Sequence, residues 1–194
     1  MSSKPWKDYP EIWKTKSAFM SFVRGGIRRG LWERNPIKLQ FLKNNRKRVP
    51  LGRVTVKNPE GMVWGCECSI CKRDFKQPEC QVDHRNGNNP LRSMSDLLSF
   101  VKSMIMITDK DLAIVCKPCH TIKSYSERFG ITFQEARLEK EGIRFKKLDK
   151  DIQIRFLIDN GFKDKDISNA AKRRSCFIKF NKGKEDIIMP KEME

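Results

Sequence analysis

Long apolar runs are missing from this 194-residue chain. No stretch approaches the roughly 18 consecutive apolar residues that a membrane-crossing helix needs. The opening residues, Met-Ser-Ser-Lys-Pro-Trp-Lys-Asp, hold no apolar segment of the secretory kind. No membrane partner is expected, and the protein is expected to be intracellular rather than secreted. Acidic residues are scarce, with 24 Asp+Glu against 41 Lys+Arg, which leaves a formal net charge of +17. Such a surplus favours a polyanion, nucleic acid foremost, over a neutral small substrate. Only two histidines occur, His84 and His120, so their neighbours matter. The seven cysteines are an odd number, and a reducing compartment disfavours disulfides, so metal binding or reactive thiols are the expected uses. With 38% hydrophobic residues and a mean hydropathy of −0.64, the chain has enough apolar surface to bury a core and is not expected to be disordered.

Charge is uneven along the chain. Residues 1–58 carry 15 Lys+Arg against 3 Asp+Glu, so +12 of the +17 lies there. Phe19, Phe22, Val23, Ile27 and Leu31 recur at helical spacing between Thr15 and Trp32, with Arg24, Arg28 and Arg29 on another face. That pattern predicts a basic amphipathic helix, which Asn35-Pro36 ends, followed by a basic turn-forming connection from Arg46 to Gly52. A second helix is predicted after an N-cap at Ser95-Asp96, with Leu97, Leu98, Val101, Met104 and Ile105 inward. Residues 132–141, 149–160 and 164–180 read as further helices, the last two as a helix-turn-helix-like pair carrying Lys172-Arg173-Arg174. The polar tail from Asn181 is expected to fray. The four tryptophans, Trp6, Trp13, Trp32 and Trp64, are read as packing residues. This gives three regions: a basic helical part (1–58), a cysteine- and histidine-rich core with an inserted helix (59–130), and a helical C-terminal part (131–194).

Two C-x-x-C pairs, Cys68-Ser-Ile-Cys71 and Cys116-Lys-Pro-Cys119, stand 44 residues apart. Each spacing lets one tight turn present two sulfurs to the same ion, and four thiolates are what a structural Zn²⁺ takes. Cys66 is a competing ligand in Cys66-x-Cys68, but the two-residue spacing favours Cys68. A redox pair lacks its βαβ setting. The haem signature in Cys116–His120 belongs to exported proteins and leaves the other pair unexplained.

If the four cysteines close on one ion, Asp83, His84 and His120 are drawn together. A carboxylate and an imidazole from separate elements make two ligands for a second divalent ion, and the adjacent histidine is left to act as a base. That layout suits hydrolysis of a phosphodiester.

The segments Cys68-x-x-Cys71, Val82-Asp83-His84 and Asp111-Leu-Ala-Ile-Val-Cys116-Lys-Pro-Cys119-His120-Thr-Ile-Lys123 resemble the HNH endonucleases, and in particular those encoded by tailed bacteriophages. The likeness extends to Tyr9–Thr15, Arg28–Trp32 and Leu91-Arg92, and covers about residues 6–128. It implies an α+β fold: a small zinc-stabilised ββα-metal core flanked by N-terminal and C-terminal helices. It implies His84 as general base, Asp83 and His120 as ligands of a catalytic Mg²⁺ or Mn²⁺, and Cys68, Cys71, Cys116 and Cys119 around Zn²⁺. Asp111 falls where the family has its middle Asn, a catalytic-site residue whose side chain holds the base-bearing strand in place; the Asp111 carboxylate accepts backbone bonds but cannot donate them. DNA is the implied partner, with Lys123, Arg24, Arg28 and Arg29 as candidate phosphate contacts and a phage packaging or host protein as a further possible partner. The alternative is a catalytically inactive zinc module that binds nucleic acid or protein.

Overall fold

The computed structural model describes residues 3–87 and 89–190. It is a mixed α+β structure whose contacts group into two units, Met1–His120 and Thr121–Glu194.

In the first unit a short turn of helix, α1 (Pro5–Asp8), leads to α2 (Lys16–Ile27). Thr15 caps α2, its hydroxyl accepting the Ala18 N–H at 3.1 Å, because the first helical N–H groups have no partner within the helix. The expected helix does reach Trp32, but its last turn, Arg28–Trp32, is widened to π geometry. This turn ends with Trp32 buried. Asn35-Pro36 does more than stop a helix, because it opens another, α3 (Pro36–Asn45). The Asn35 side chain accepts from the Ile37 and Lys38 N–H groups and donates to the carbonyl of Met104. Two helix ends are thereby satisfied by one buried amide.

The expected basic turn after residue 45 contains a strand instead. β1 (Lys47–Val49) pairs antiparallel with β2 (Val63–Glu67), which pairs with β3 (Asp74–Lys76). Gly65 sits in the central strand because a Cβ there would collide with the Phe75 carbonyl and the Val49 side chain. A separate antiparallel ribbon joins β4 (Cys80–His84) to β5 (Leu112–Cys116), and α5 (Lys117–Phe129) follows directly. Between the two strands lies α4 (Leu97–Ile105). Its N-cap is Asp96, as expected, and Ser93 caps the single turn before it: Asp96 Oδ2 accepts the Ser93 N–H at 2.8 Å and its hydroxyl at 3.1 Å. The inward face of α4 is rotated from the expected one. Phe100 and Met104 are buried while Leu98 and Ile105 are exposed, since the burying surface needs the i, i+4 row that starts at Phe100. Met20, Trp32, Phe41, Val82, Phe100 and Leu112 belong to one core, so the basic N-terminal helices share their interior with the β4–β5 ribbon.

The second unit holds α6 (Phe133–Phe145), α7 (Lys150–Asp159) and α8 (Ala170–Asn181) around Phe145, Leu157, Ile167 and Phe177. Phe145 and Phe177 stack with centroids 4.3 Å apart. Gly142 permits the close approach of α6 and α8, since a Cβ there would press on Ile178 at 3.0 Å. The tail is not frayed over its described part. Asn181 is buried, its Oδ1 accepting the Ile188 N–H at 2.7 Å, and Ile187 and Met189 pack on the core; residues 191–194 lie outside the described residues. Phe145→Ala is expected to cost about 3–5 kcal/mol through the cavity it leaves, read as a lower urea midpoint for α6–α8.

Thr132 and Glu135 form a capping box, Glu135 Oε2 accepting the Thr132 N–H and hydroxyl at 2.8 Å each. These bonds hold the Glu135 carboxyl below its ordinary range. A depressed folded pKa contributes stability that is present above the unfolded value, near 4.3, and is lost as pH falls through the folded one. Between pH 7 and pH 3 the wild-type melting temperature should therefore fall further than that of Glu135→Gln, as followed by circular dichroism.

Candidate metal centre and histidine pair

The first C-x-x-C turn follows β2 and the second spans the junction of β5 with α5. Backbone N–H groups point at two of the sulfurs, one of them across the two turns. Cys116 N–H points at Cys68 Sγ (3.3 Å) and Cys119 N–H at Cys116 Sγ (3.5 Å). Ser69 N–H donates to the Ile114 carbonyl at 2.8 Å, which pins the first turn against β5. The first turn closes through Lys72, whose φ of 58° lies in the left-handed region, at a cost of about 1–2 kcal/mol for a residue with a side chain.

The ligand atoms of Cys68, Cys71, Cys116 and Cys119 all lie within 4.8 Å of one another. Cys68, Cys116 and Cys119 are buried. Burial pushes the thiols of Cys116 and Cys119 up. Burial also opposes ionisation of Cys68, yet N–H groups of Cys116, Cys71 and Ile70 bring its thiol down to about 7. Four converging sulfurs, two of them, Cys68 and Cys116, met by backbone N–H groups, form a cluster able to hold a metal such as zinc. Among the described residues it is the one group of three or more ligand side chains so placed. Cys66 and Cys80 stand outside it. The Cys80 thiol faces the Cys66 carbonyl at 3.8 Å, and burial lifts it to about 12, which suits buried neutral thiols.

The β4–β5 register sets Asp83 opposite Ala113 and His84 opposite Leu112. Asp83 Oδ1 lies 3.9 Å from His120 Nε2, in the first turns of α5. This is too long for a hydrogen bond but within the span of two metal–ligand bonds of about 2.0–2.2 Å each.

His84 is held from two other elements. Its ring stacks on Trp32 with centroids 4.3 Å apart and 22° between planes, and its Nε2 lies 2.6 Å from the Ser103 carbonyl of α4. A carbonyl only accepts, so Nε2 carries the proton, and in the neutral ring the basic lone pair sits on Nδ1. Nothing in the sequence pointed to Ser103, since its part is played by a backbone oxygen. Trp32 was expected to pack, and the residue it packs on is His84.

Asp111 closes the turn before β5. Its Oδ2 accepts the Thr108 N–H and hydroxyl at 2.8 Å each, which holds its carboxyl below the ordinary range. The bond to the His84 strand comes instead from its backbone: the Asp111 carbonyl accepts the Arg85 N–H at 2.8 Å. That bond clamps the two ends of the α4 insertion together.

The candidate phosphate contacts differ in availability. Arg28 and Arg29 are exposed, whereas Arg24 is half-buried and donates to the Leu91 carbonyl at 2.6 Å. Lys123 pairs with Glu127 at 3.1 Å. In the Lys172-Arg173-Arg174 run only Lys172 is exposed. Arg173 is buried against Gln153 and the Ile167 carbonyl, and Arg174 pairs with Glu139. Trp64 departs from the packing expected of it, being 45% exposed.

Among the described residues no helix is long and apolar enough to cross a membrane. No family model matches the chain, and no curated protein or solved structure matches it either.

Proposed function

We propose that the protein is a metal-dependent DNA endonuclease of the HNH type, with β4, β5 and α5 as its ββα-metal unit and the four-cysteine cluster holding structural zinc. The observation that carries this reading is the approach of Asp83 to His120 within 3.9 Å, with His84 beside Asp83 on the same strand. Asp83 and His120 would hold a divalent ion such as Mg²⁺ or Mn²⁺, which when bound supplies Lewis-acid stabilisation of charge at the scissile phosphate. His84, with Nε2 donating to the Ser103 carbonyl, takes a proton from water at Nδ1 as that water attacks phosphorus. Trp32 and the Ser103 carbonyl fix the ring so that it does not swing away from that water. Resemblance to the family implies 5′-phosphate and 3′-hydroxyl ends. DNA is held by the basic surplus of the first 58 residues, with Arg28 and Arg29 as its outward members. Phage or host DNA, and a packaging or host protein partner, belong to the same reading.

Incubation of the zinc-loaded protein with supercoiled plasmid and Mg²⁺ or Mn²⁺ is expected to give nicked or linear DNA, with ends that ligate without prior phosphorylation. Salt-sensitive DNA binding without any strand breakage in either ion would instead favour the non-catalytic zinc module.

A further inference from the structure

The strands before the metal centre carry a feature that the proposed chemistry leaves unused. Arg48 pairs across the β1–β2 ladder with Trp64, and side chains directly opposite on such a ladder share a face. The Arg46 guanidinium carbon lies 4.3 Å from the Trp64 ring centroid and that of Arg48 lies 5.6 Å from it. Arg48 is held in place by donating to the Met62 carbonyl at 2.7 Å. Among the described residues no carboxylate lies within ion-pair distance of Arg46 or Arg48. Lys47, which alternates to the other face, is by contrast neutralised by Asp74 at 2.8 Å and Glu67 at 3.7 Å. Lys47 is thus paired with carboxylates, while Trp64 stands 45% exposed beside the Arg46 and Arg48 guanidinium groups.

The connection from β1 to β2 extends this face. It is an ordered loop, closed at its base by Gly52 N–H to the Gly61 carbonyl at 2.6 Å and at its tip by the Thr55–Asn58 bridge. It carries Arg53 and Lys57 exposed against a single acid, Glu60. A cleft of about 330 Å³ lies between Arg48 and Lys57.

We infer that this β1–β2 wing is a second nucleic-acid contact, which receives an unpaired DNA strand by stacking a base on Trp64 while Arg46 and Arg48 meet the adjoining phosphates. Cations alone would serve any polyanion. The open indole adds a demand for a planar π-face, which an acidic peptide lacks and which a duplex keeps covered by its own stacking. Base–aromatic stacking tolerates every base, so this contact selects strand state rather than sequence. The inference rests on the endonuclease reading only for the choice of DNA over another nucleic acid.

The test uses the zinc-loaded full chain without Mg²⁺ or Mn²⁺, with fluorescein-labelled oligothymidylate and a labelled duplex followed by fluorescence anisotropy. Trp64→Leu is expected to weaken oligothymidylate binding about tenfold and duplex binding much less, while Trp64→Phe restores the single-strand affinity. Arg46→Lys, which keeps the charge but removes the planar group, is expected to weaken single-strand binding by a smaller factor. Zinc content and melting temperature show that each variant is folded. Wild-type affinity in Trp64→Leu overturns the inference. So does an equal loss on both DNAs, or competition by polyglutamate as strong as by unlabelled oligothymidylate. The plasmid assay separates the two readings. Trp64-dependent single-strand binding without strand breakage keeps this inference and removes the endonuclease, and strand breakage with Trp64-independent binding does the reverse.

Discussion

Cys116→Ser is expected to abolish stoichiometric zinc and to unfold the β2–β5 region of the first unit. Cys116 is fully buried at the end of β5, its N–H serves Cys68 Sγ, and its own sulfur receives the Cys119 N–H. Serine is close in size, so the loss is not one of packing volume. It is one of ligation, because the metal bond to a thiolate has no equal in a neutral hydroxyl. Structural zinc contributes on the order of 10–16 kcal/mol in small sites, against a total stability of about 5–15 kcal/mol for an ordinary domain. The two cysteine turns join elements far apart in sequence, and the strands they anchor are only three to five residues long. Without metal, the buried thiols of Cys116 and Cys119 lose the partner that would offset their burial, and the strained Lys72 turn keeps its cost. Elemental analysis should fall from about one zinc per chain to near none. Hydrogen exchange should lose protection over residues 63–116 while α6–α8, whose core contains no cluster cysteine, keep theirs. Cys80→Ala, outside the cluster, should retain zinc. Full zinc content and protection in Cys116→Ser would remove the structural role assigned to the cluster.

His84→Gln is expected to lower plasmid nicking by about 10²–10⁴-fold, the range over which a positioned general base acts, with zinc content unchanged. Glutamine is the informative replacement. Its amide N–H can still donate to the Ser103 carbonyl and its plane can still lie on Trp32, so the surroundings stay filled, but it cannot accept a proton from water. Asp83→Asn and His120→Ala should lose activity through weaker metal occupancy, so that raising Mg²⁺ or Mn²⁺ partly restores them but leaves His84→Gln unrescued. Wild-type rates in His84→Gln would refute the role given to His84.

The legible parts of this protein are those written in local spacing. A C-x-x-C turn needs only four residues to aim two sulfurs, and both turns were readable, as was the choice of Cys68 over Cys66. Helices α2, α4, α6 and α7 follow from apolar residues recurring every three or four positions, while α8 begins only at Ala170, after the Asn169 cap, where the sequence suggested a helix from residue 164. β1 was missed because three residues of a basic run acquire their strand conformation only from a partner some sixteen positions away, Arg48 against Trp64. The Lys172-Arg173-Arg174 run shows the same limit for charge. Three adjacent cations look alike in sequence, yet helix geometry turns Arg173 inward to Gln153 and leaves Lys172 outside. Asn181 and the tail behind it were read as polar and loose because nothing local announces that an amide will clasp Ile188.

By itself the sequence determined the basic surplus, the absence of long apolar runs, the identity of the four clustered cysteines and the order of the Asp-His and Cys-His pairs. These are matters of composition and short-range covalent geometry. Only the tertiary structure decided that Asp83 comes within 3.9 Å of His120, that Trp32 and the Ser103 carbonyl orient His84, and that Arg46, Arg48 and Trp64 form one open face. Each depends on strand register, on a widened helical turn or on a backbone oxygen of an inserted helix. Such long-range contacts are set by packing and carry no signature in residue spacing.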